Sequence, residues 1–396
     1  MNAQVSFLEG TINLIHIPLP LYSSFLEPIL KVLLPQTRPS VSSDSFINIS
    51  ITPLECSIVC NSVYARQIFE SSSTTTISSG GGGATISKDE YAVLSFTSAG
   101  MDAGSRVADL TSPLALAKIP IFFITTYYAD FILVPVNSIS TVVKTLLARG
   151  FVFSDDLDDG AVFTTSHSRS SSHTSIVSRE EQPPSTPPPS SILELQEKTF
   201  VTLKKRGVLP FIEEDLTLIQ CSGREITEIP VRGGRPFRNG STSSSSSPKN
   251  SLGQLWLDTV DTRLYTALVA ALVSKPRFLS LTLAKGDPPS MLMDKRLLGI
   301  FGDTVVGPGT EIEGEEKGGG LVPIFLDLND LPLEVTGIVS GVAGRLMRDG
   351  TGDGGDNEGG DDLELSYLST ARAGAVILGA ERSRRALKVL MPLLSD

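Results

Sequence analysis

The sequence predicts an α+β fold built from small repeated units that form two pairs related by internal duplication. Two observations lead to this prediction. Ile119–Leu146 aligns without a gap to Leu363–Leu390 at an offset of 244 residues, with few identities but a persistent hydrophobic pattern. Phe46–Phe69 matches Phe278–Phe301 in length and begins and ends with Phe in both copies. Self-similarity of this kind indicates a supersecondary unit that occurs more than once.

The unit that begins at Tyr91 shows its secondary structure most clearly. Tyr91–Ser98 alternates as a strand, and SRVADLTSPLALAK has apolar residues at helical spacing. IPIFFITT and DFILV are predicted strands joined by a short turn at YYA, and NSISTVVKTLLARG and FVFS are a predicted helix and a last strand. The resulting order, β-α-β-β-α-β, is the split βαβ or ferredoxin-like order.

The other units repeat all or part of this order. The fourth unit contains VPIFLDL, TGIVSGVAGRLM, LELSYLS, AGAVILG and RRALKVLMPLL. The first unit supplies INLIHI, LYSSFLEPILKVLL, FINISI and ECSIVC, and the third supplies QLWLDTV, RLYTALVAALV, RFLSLTL and PPSMLMD. Four small α+β units packed in pairs therefore account for most of the predicted ordered residues.

Changes in composition set the predicted boundaries. Stretches rich in Ser, Thr, Pro and Gly are too poor in apolar residues to join a core, so they are predicted linkers. The organisation is unit 1 at 1–70, a linker at 71–89, unit 2 at 90–157, a linker at 158–190, an ordered insertion of unassigned role at 191–238, a linker at 239–251, unit 3 at 252–306, and unit 4 at 318–396 with an acidic glycine-rich insertion at 349–362.

Charge, cysteine content and hydropathy exclude several classes of protein. With 33 basic and 44 acidic residues, the net charge of -11 disfavours nucleic-acid binding, which needs a concentrated basic face. Three cysteines are too few for a disulfide framework, which favours a reducing compartment and a cytoplasmic location. The most apolar stretch, Ile119–Val134, contains Asp130, and a central Asp costs roughly 2.5–3.5 kcal/mol in a membrane helix. No membrane span is predicted.

Neither an enzyme nor a metal centre is predicted. No nucleophile has a candidate base, and His16 lies on a predicted strand, where a hydrogen-bonded core residue is expected. Gly80–Gly83 lacks the lysine and hydroxyl of a P-loop. Asp353, Asp356 and Asn357 miss the ligand spacing of a calcium loop. We therefore expect no cofactor.

Binding is the chemistry that remains. In a β-α-β-β-α-β unit, the loop after the first strand presents the N–H groups at a helix start, which favour a carboxylate. Gly337 and Ile338 occupy that place in the fourth unit, and Glu334 is a candidate acceptor for an ammonium or guanidinium group. A capped helix start, with a glycine for close packing, explains the same residues equally well. Pairing of sheet edges would create a pocket between the second and fourth units.

The chain resembles the CASTOR family in the segments TTYYADFILV, FLEPILKVLLP, YAVLSFTS and TGIVSGVAG. It also resembles that family in having a second copy of the pattern after a long linker. Members of that family are tandem ACT-domain proteins that act as cytosolic arginine sensors upstream of the TOR kinase complex. The resemblance covers about Ile12–Gly150 and Leu252–Leu394. It implies four ACT-like units and an amino-acid site between the second and fourth.

Carried over by position, the resemblance implies a set of ligand-binding residues. They are Pro120, Ile121, Leu333, Glu334, Thr336, Gly337, Ile338, Thr370, Ala371 and Gly374. The family's ligand-binding serine falls on Pro120, and its ligand-binding aspartate falls on Gly374. Losing each charge-assisted bond removes about 1.5–3 kcal/mol. These two residues therefore argue against tight arginine binding.

The resemblance also implies a surface for a protein partner. In the family that surface includes the turn after the first hairpin strand of the second unit, which here carries Tyr127, Tyr128 and Asp130. Exposed tyrosines are common anchors at interfaces. Aromatic turn residues that pack on their own sheet are the alternative interpretation. Asp130 is expected at the turn end of its strand, where its charge reaches solvent or a partner.

Together these observations predict a non-enzymatic regulatory protein that binds a small ligand, expected to be an amino acid, and signals through protein contacts. The resemblance places that regulation in TOR-pathway nutrient sensing. Two alternatives remain open: a ligand-free ACT-fold interaction or scaffold module, and a detached allosteric subunit of an amino-acid biosynthetic enzyme. A homodimer is compatible with either.

Overall fold

Two β-sheets lie face to face, and helices cover their outer sides. The computed structural model describes residues 4–34, 46–70, 83–97, 105–154, 191–224, 261–310, 320–350 and 364–395. The pairs Ile12–Tyr91 and Leu218–Leu321 connect the sheets, so the strands form a closed, flattened ring. The mixture of helices and mainly antiparallel strands agrees with the predicted α+β class.

The strands come from both halves of the chain. They are β1 (Gln4–Phe7), β2 (Ile12–Ile17), β3 (Phe46–Ile51), β4 (Cys56–Asn61), β5 (Thr85–Ile86), β6 (Tyr91–Thr97), β7 (Phe122–Thr125), β8 (Asp130–Pro135), β9 (Val152–Phe153), β10 (Pro210–Ile212), β11 (Leu218–Gly223), β12 (Leu279–Ala284), β13 (Ser290–Asp294), β14 (Val305–Val306), β15 (Leu321–Asp327), β16 (Ser366–Ser369) and β17 (Ala373–Gly379). The first sheet has the order β5-β2-β4-β3-β12-β13-β11-β14. The second has the order β9-β1-β6-β8-β7-β16-β17-β15-β10.

The helices pack one apolar side against these sheets. They are α1 (Leu26–Leu33), α2 (Arg106–Leu116), α3 (Ile139–Ala148), α4 (Ile192–Lys205), α5 (Thr262–Val273), α6 (Ile338–Gly350) and α7 (Ala380–Leu394). Short helical turns lie at Leu19–Phe25, Ser62–Tyr64, Ala65–Glu70, Val136–Ser138, Lys295–Leu297, Leu298–Phe301 and Gly302–Thr304. Helix α5 shows why these segments are helical. Asp261 caps it by accepting from the amides of Arg263 and Leu264, and its buried residues recur at helical spacing.

Three buried clusters hold the layers together. One lies between the first sheet and its helices, and includes Ile29 and Leu268. A second lies between the other sheet and its helices, and includes Leu110 and Val342. The third, which contains Phe131, fills the space between the two sheets. Since burying a large apolar side chain contributes about 1.5–3 kcal/mol, these clusters supply the main driving force for the layered arrangement.

Two antiparallel seams join the halves of the chain. In the first sheet, β3 pairs with β12 along its whole length, from Phe46 opposite Ala284 to Ile51 opposite Leu279. In the second sheet, β7 pairs with β16 at Ile124 and Leu368. A buried polar network of Asn48, Ser50, Ser280 and Thr282 crosses the first seam. Each of these side chains has a partner, which is the condition for keeping polar groups in a core.

The most apolar stretch of the sequence forms two buried strands, β7 and β8, joined by a tight turn, as the sequence predicted. The Thr126 amide donates to the Ala129 carbonyl at 3.0 Å and closes this turn. At the predicted offset of 244 residues, the Thr370 amide donates to the Ala373 carbonyl at 2.9 Å. Among the described residues, no helix has the length and hydropathy needed to cross a membrane.

The predicted insertion at 191–238 needs a correction, because its described part belongs to both sheets. Strand β11 pairs with β13, in the position that corresponds to that of β2 beside β4. Strand β10 pairs with β15 in the second sheet. Helix α4 packs on α6, where the Thr199 hydroxyl donates to the Gly337 carbonyl at 3.2 Å. The segment was predicted as separate because a linker-like stretch divides it from the rest of its unit.

Several predicted features lie outside the described residues. They are the serine-rich parts of the linkers, most of the acidic insertion at 349–362, and the predicted first strand of the third unit, QLWLDTV. These remain predictions. The predicted linker at 71–89 is described from residue 83 onward, where Thr85–Ile86 forms β5 beside β2.

The close packing of α4 on α6 depends on Gly341. A Cβ there would lie 2.8 Å from Thr199 Cγ2 and 2.9 Å from Thr199 Cβ. We expect Gly341→Ala to lower the free energy of unfolding by about 1–3 kcal/mol, because a well-packed interface resists an added methyl group. Chemical denaturation measures this loss, and adding Thr199→Ala should recover part of it.

Gly299→Ala is the matched control, since a Cβ at that helical glycine has no heavy atom within 4 Å. Its stability should stay within about 0.5 kcal/mol of the wild type or rise slightly. Equal losses in the two glycine variants would contradict the role assigned to Gly341.

Candidate functional site

A cavity of about 50 Å³ lies where the second and fourth units meet, beside the β7–β16 seam. At about 10–15 Å³ for each water, this volume holds about four waters or one small organic group. Its walls are the start of β7, the loop between β15 and α6 with the first residues of α6, and the β16–β17 hairpin. We call it the Tyr367 cavity.

Most of the predicted ligand-binding residues line the Tyr367 cavity. These residues are Ile121, Leu333, Gly337, Ile338, Thr370 and Ala371. The structure thus brings together residues from distant parts of the sequence. That they bind a ligand remains a prediction.

The remaining predicted residues do not line the cavity. Pro120 is half-buried next to Ile121, Thr336 is half-buried in the loop, and Glu334 is exposed. Gly374 is buried on β17, behind Tyr367. The proposed role of Glu334 as an acceptor for an ammonium or guanidinium group stays a prediction, because its side chain is exposed and does not line the cavity.

The start of helix α6 opens onto the cavity. Ile338 and Val339 line it, and the first amides of a helix have no acceptor within that helix. Gly337, just before the helix, has a φ of 87°, a left-handed conformation that favours glycine. A Cβ at Gly337 would also lie 2.8 Å from Leu195 Cδ1. Both interpretations of this glycine therefore fit: it packs closely against α4, and it leaves the helix start open to a carboxylate.

Tyr367 is the functional candidate that sequence reasoning missed. Its side chain is 1% exposed and lines the cavity, and its hydroxyl has no hydrogen-bond partner among the described residues. Burial raises the pKa of Tyr367, so the hydroxyl keeps its proton at neutral pH and is able to donate. At the repeat offset of 244 residues, Tyr367 corresponds to Phe123. The hydroxyl that Tyr367 has and Phe123 lacks, on a buried strand, is the feature of the sequence that could have identified Tyr367 as a candidate.

Gly374 makes room for that hydroxyl. A Cβ at Gly374 would lie 2.6 Å from the Tyr367 hydroxyl oxygen. An aspartate at this position, as in the family that the sequence resembles, would displace Tyr367. Glycine in place of aspartate at position 374 therefore has two effects. It removes a carboxylate, and it leaves space that the neutral hydroxyl of Tyr367 occupies.

The hairpin wall of the cavity is fixed to the first unit by a buried carboxylate. Glu55 is 1% exposed, and its Oε1 accepts from the Thr370 hydroxyl at 2.6 Å and from the Arg372 amide at 2.5 Å. Its Oε2 lies 2.6 Å from His16 Nδ1. The Ala371 amide donates to Ser57 Oγ at 3.0 Å. His16 is thus hydrogen-bonded, as the sequence predicted, but it is half-buried and lies outside the core clusters.

Asp130 does not reach solvent, which corrects the sequence expectation. It is 1% exposed, and its Oδ2 lies 2.6 Å from Arg106 Nε at the start of α2. Burial raises the pKa of Asp130 to about 6, although Arg106 and a hydrogen bond with Thr125 act in the opposite direction. On β8 the alternation turns Asp130 toward the helices, where a charge needs a partner. In this structure it is inaccessible to a protein partner.

The two tyrosines of the predicted partner surface remain accessible. Tyr127 is 37% exposed and Tyr128 is 39% exposed, and their rings pack edge to face. The Tyr127 amide donates to Ser290 Oγ at 2.8 Å, and the Tyr128 hydroxyl lies 2.7 Å from Ser222 Oγ. The turn therefore rests on the first sheet and leaves both tyrosines partly accessible. Their role in partner binding stays a prediction.

The described ranges contain no group of three or more His, Cys, Asp or Glu residues able to hold a metal ion. Cys56, Cys60 and Cys221 are buried, and no disulfide joins them. All three belong to the core between the first sheet and its helices. Burial raises the pKa of Cys221 to about 12, so this thiol stays neutral and inert near neutral pH.

Comparison with protein families identifies part of this architecture. Residues 86–148 match the family model described as an ACT domain. ACT domains generally bind amino acids in regulatory proteins. The match covers most of the second unit, from the end of β5 to the end of α3, and includes the residues that form one wall of the Tyr367 cavity. Curated proteins give no match.

Solved structures give distant similarities. Protein Atu0741 of Agrobacterium tumefaciens is 18% identical over 39% of this chain and 93% of that chain, with a TM-score of 0.28. Aspartate kinase from Synechocystis is 11% identical over 99% of this chain and 56% of that chain, with a TM-score of 0.30. Protein VC0802 of Vibrio cholerae is 16% identical over 37% of this chain and 89% of that chain, with a TM-score of 0.23. These scores are too low to support a functional argument.

The Arg106–Asp130 pair gives a pH-dependent test of the region around the second unit's hairpin. Arg106→Leu leaves Asp130 buried without its partner, so we expect a loss of about 3–5 kcal/mol in the free energy of unfolding near pH 8. Without Arg106 the pKa of Asp130 rises further, and protonation removes the unpaired charge at low pH. The loss should therefore shrink as the pH falls toward about 5.

Denaturation of each variant at both pH values measures this dependence. Arg263→Leu is the control, because the Arg263–Asp303 pair is exposed and contributes only about 0–1 kcal/mol. In the double variant Arg106→Leu with Asp130→Asn, the extra pH dependence should disappear. A loss in Arg106→Leu that is equal at both pH values would show that Asp130 is not the group responsible.

Proposed function

We propose that this chain is a non-enzymatic regulatory protein that binds a small amino acid in the Tyr367 cavity and transmits its presence to a protein partner. The observation that carries the proposal is Tyr367, a buried residue whose hydroxyl makes no hydrogen bond among the described residues and which lines a cavity bordered by an ACT domain. A hydroxyl that faces a cavity is able to donate to a ligand, and one such hydrogen bond contributes about 0.5–1.5 kcal/mol.

We also propose that the chain arose by duplication of a pair of ACT-like units. The turns at Thr126 and Thr370 support this, since each threonine donates through its amide and its hydroxyl to the carbonyl of an alanine three residues later. The turns lie 244 residues apart, at the offset of the sequence repeat. Their strands also pair with each other across the β7–β16 seam.

The lining of the cavity defines the class of amino acid. The α6 start would bind the carboxylate, and the Tyr367 hydroxyl would add one hydrogen bond. The described lining residues include no acidic side chain, so a cationic side chain such as that of arginine has no counter-charge there. The small volume and the apolar neighbours Ile121, Leu333 and Ile338 favour a small uncharged side chain.

The wider role follows from the resemblance noted in the sequence. We place the protein in the cytoplasm as a CASTOR-like nutrient sensor of the TOR pathway, with the Tyr127–Tyr128 turn as a contact for its protein partner. Half-exposed aromatic rings on a fixed turn support this, because rigid aromatic anchors dominate many interfaces. Self-association as a homodimer belongs to the same proposal.

The small cavity supports a second candidate function. A space of about 50 Å³ is small for most amino acids without rearrangement of the wall loop. A ligand-free interaction or scaffold module, or a detached allosteric subunit of an amino-acid biosynthetic enzyme, would need no larger site. Ligand titration and partner capture separate these functions.

A thermal-shift panel of the common amino acids tests the ligand proposal. We expect a small uncharged amino acid to raise the melting temperature, since a hundredfold excess over Kd stabilises by about 2.7 kcal/mol. Tyr367→Phe should weaken binding about tenfold while leaving the unliganded protein as stable as before or more so, because the lost hydroxyl has no partner. Isothermal titration calorimetry measures the affinity.

Tyr128→Phe is the matched control, since it removes a hydroxyl bonded to Ser222, away from the cavity. It should leave ligand affinity unchanged. If no amino acid stabilises the wild type, the sensor proposal fails and the interaction module is favoured.

Partner capture tests the surface. We expect Tyr127→Ala with Tyr128→Ala to lose most of the proteins captured by the wild type, because truncating interface anchors costs about 2 kcal/mol or more each. Leu147→Ala is the control, an exposed apolar residue on α3 outside the turn. TOR-pathway components in the captured set would favour the sensor, and a biosynthetic enzyme would favour the detached subunit.

A further inference from the structure

A second, larger opening lies beside the other seam, between the first and third units. Its volume is about 540 Å³, compared with about 50 Å³ for the Tyr367 cavity. The helical turn Leu19–Phe25, the β3–β4 turn and the segment between α5 and β12 form its walls, with Glu213 at one side. We call it the Lys275 groove.

The Lys275 groove is built in the same way as the Tyr367 cavity. In each, one unit supplies the loop after its first strand and a hairpin turn, and the other unit supplies the segment that leads from a helix into a seam strand. The groove contains the Thr52 turn, whose amide and hydroxyl both donate to the Glu55 carbonyl. The Thr370 turn of the cavity makes the same two bonds to Ala373.

The helix-to-strand segments also correspond. Lys275 has a φ of 55° and Lys118 a φ of 58°, a left-handed conformation that is uncommon for residues other than glycine. Each lysine precedes its seam strand by the same number of residues, with β12 starting at Leu279 and β7 at Phe122. The groove is therefore the counterpart of the cavity in the other pair of units.

The chemistry of the two sites differs, because side-chain charges line the Lys275 groove. Lys275 is exposed and has no ion-pair partner among the described residues. Arg277 Nη2 donates to the Glu214 carbonyl at 2.8 Å and lies 3.3 Å from Glu213 Oε1. Two cationic groups and one carboxylate leave the lining with a net positive charge on a chain whose formal charge is -11.

We propose that the Lys275 groove is a second ligand site that takes a small organic carboxylate. Lys275 and Arg277 bind the carboxylate groups, and Glu213 limits affinity by holding part of the Arg277 charge. An acidic amino acid and a dicarboxylate share this chemistry. The proposal goes beyond the function of the Tyr367 cavity and does not require it, since no residue lines both sites.

Calorimetric titration of the full chain with glutarate at low ionic strength tests the site, with L-glutamate and inorganic phosphate as parallel probes. Glutarate should bind, and Lys275→Asn should weaken it about tenfold, because it removes a charge-assisted contact. Asparagine tolerates the left-handed conformation, so the variant keeps the backbone of the loop. Glu213→Gln should tighten glutarate binding several-fold by releasing Arg277.

The controls separate this site from the cavity. Lys118→Asn makes the same substitution at the corresponding exposed position and should leave glutarate binding unchanged. Tyr367→Phe should also leave it unchanged while weakening the ligand of the Tyr367 cavity. Stronger binding of L-glutamate than of glutarate assigns the site to acidic amino acids, and the reverse assigns it to dicarboxylates.

Three results would overturn the proposal. The first is no glutarate or L-glutamate binding by the wild type, and the second is equal weakening in Lys275→Asn and Lys118→Asn. The third is phosphate binding as strong as that of either carboxylate, because it would show only a general attraction for anions. Melting curves of each variant exclude a loss of fold as the cause.

Discussion

Edge-to-edge pairing of β3 with β12 and of β7 with β16 is the constraint on which the remaining structure depends. Left unpaired, each of these strands would end its half-sheet with an exposed row of amides and carbonyls. Pairing satisfies those groups and brings together walls that are far apart in sequence. Both the Tyr367 cavity and the Lys275 groove adjoin such a seam and take walls from two units. A ligand in either site would therefore stabilise the association of the two halves of the chain.

The hairpin turns give that association a second connection, from one sheet to the other. The Thr370 turn is held by Glu55 of the first unit, and the Tyr127 turn is held by Ser290 of the third. Since Thr370 also lines the Tyr367 cavity, a ligand that moves it would act on a buried carboxylate in the opposite sheet. The wall between β15 and α6 makes no hydrogen bond to the other sheet among the described residues, so rearrangement for a larger ligand would begin there.

Sequence reasoning succeeded where burial imposes a local pattern. Strand β17 was predicted at its observed bounds, and the offset of 244 residues aligned the turns at Thr126 and Thr370, because alternation and turn chemistry act over a few residues. It failed where a partner lies far away in sequence. Asp130 was expected in solvent because nothing nearby reveals its pairing with Arg106. Tyr367 was missed because its free hydroxyl and its dependence on Gly374 appear only once the strands are packed.

The comparison of the two sites explains the unexpected proline at the predicted ligand position. Counted from the left-handed lysine of its loop, Pro120 occupies the place that Arg277 occupies in the Lys275 groove. Proline has neither an amide hydrogen nor a polar side chain, whereas arginine presents a fork of donors suited to a carboxylate. The two sites thus share a backbone construction, but side-chain recognition of anions is concentrated in the groove. In the cavity, recognition falls to the α6 start and to one tyrosine hydroxyl, and this favours a smaller and less charged ligand there.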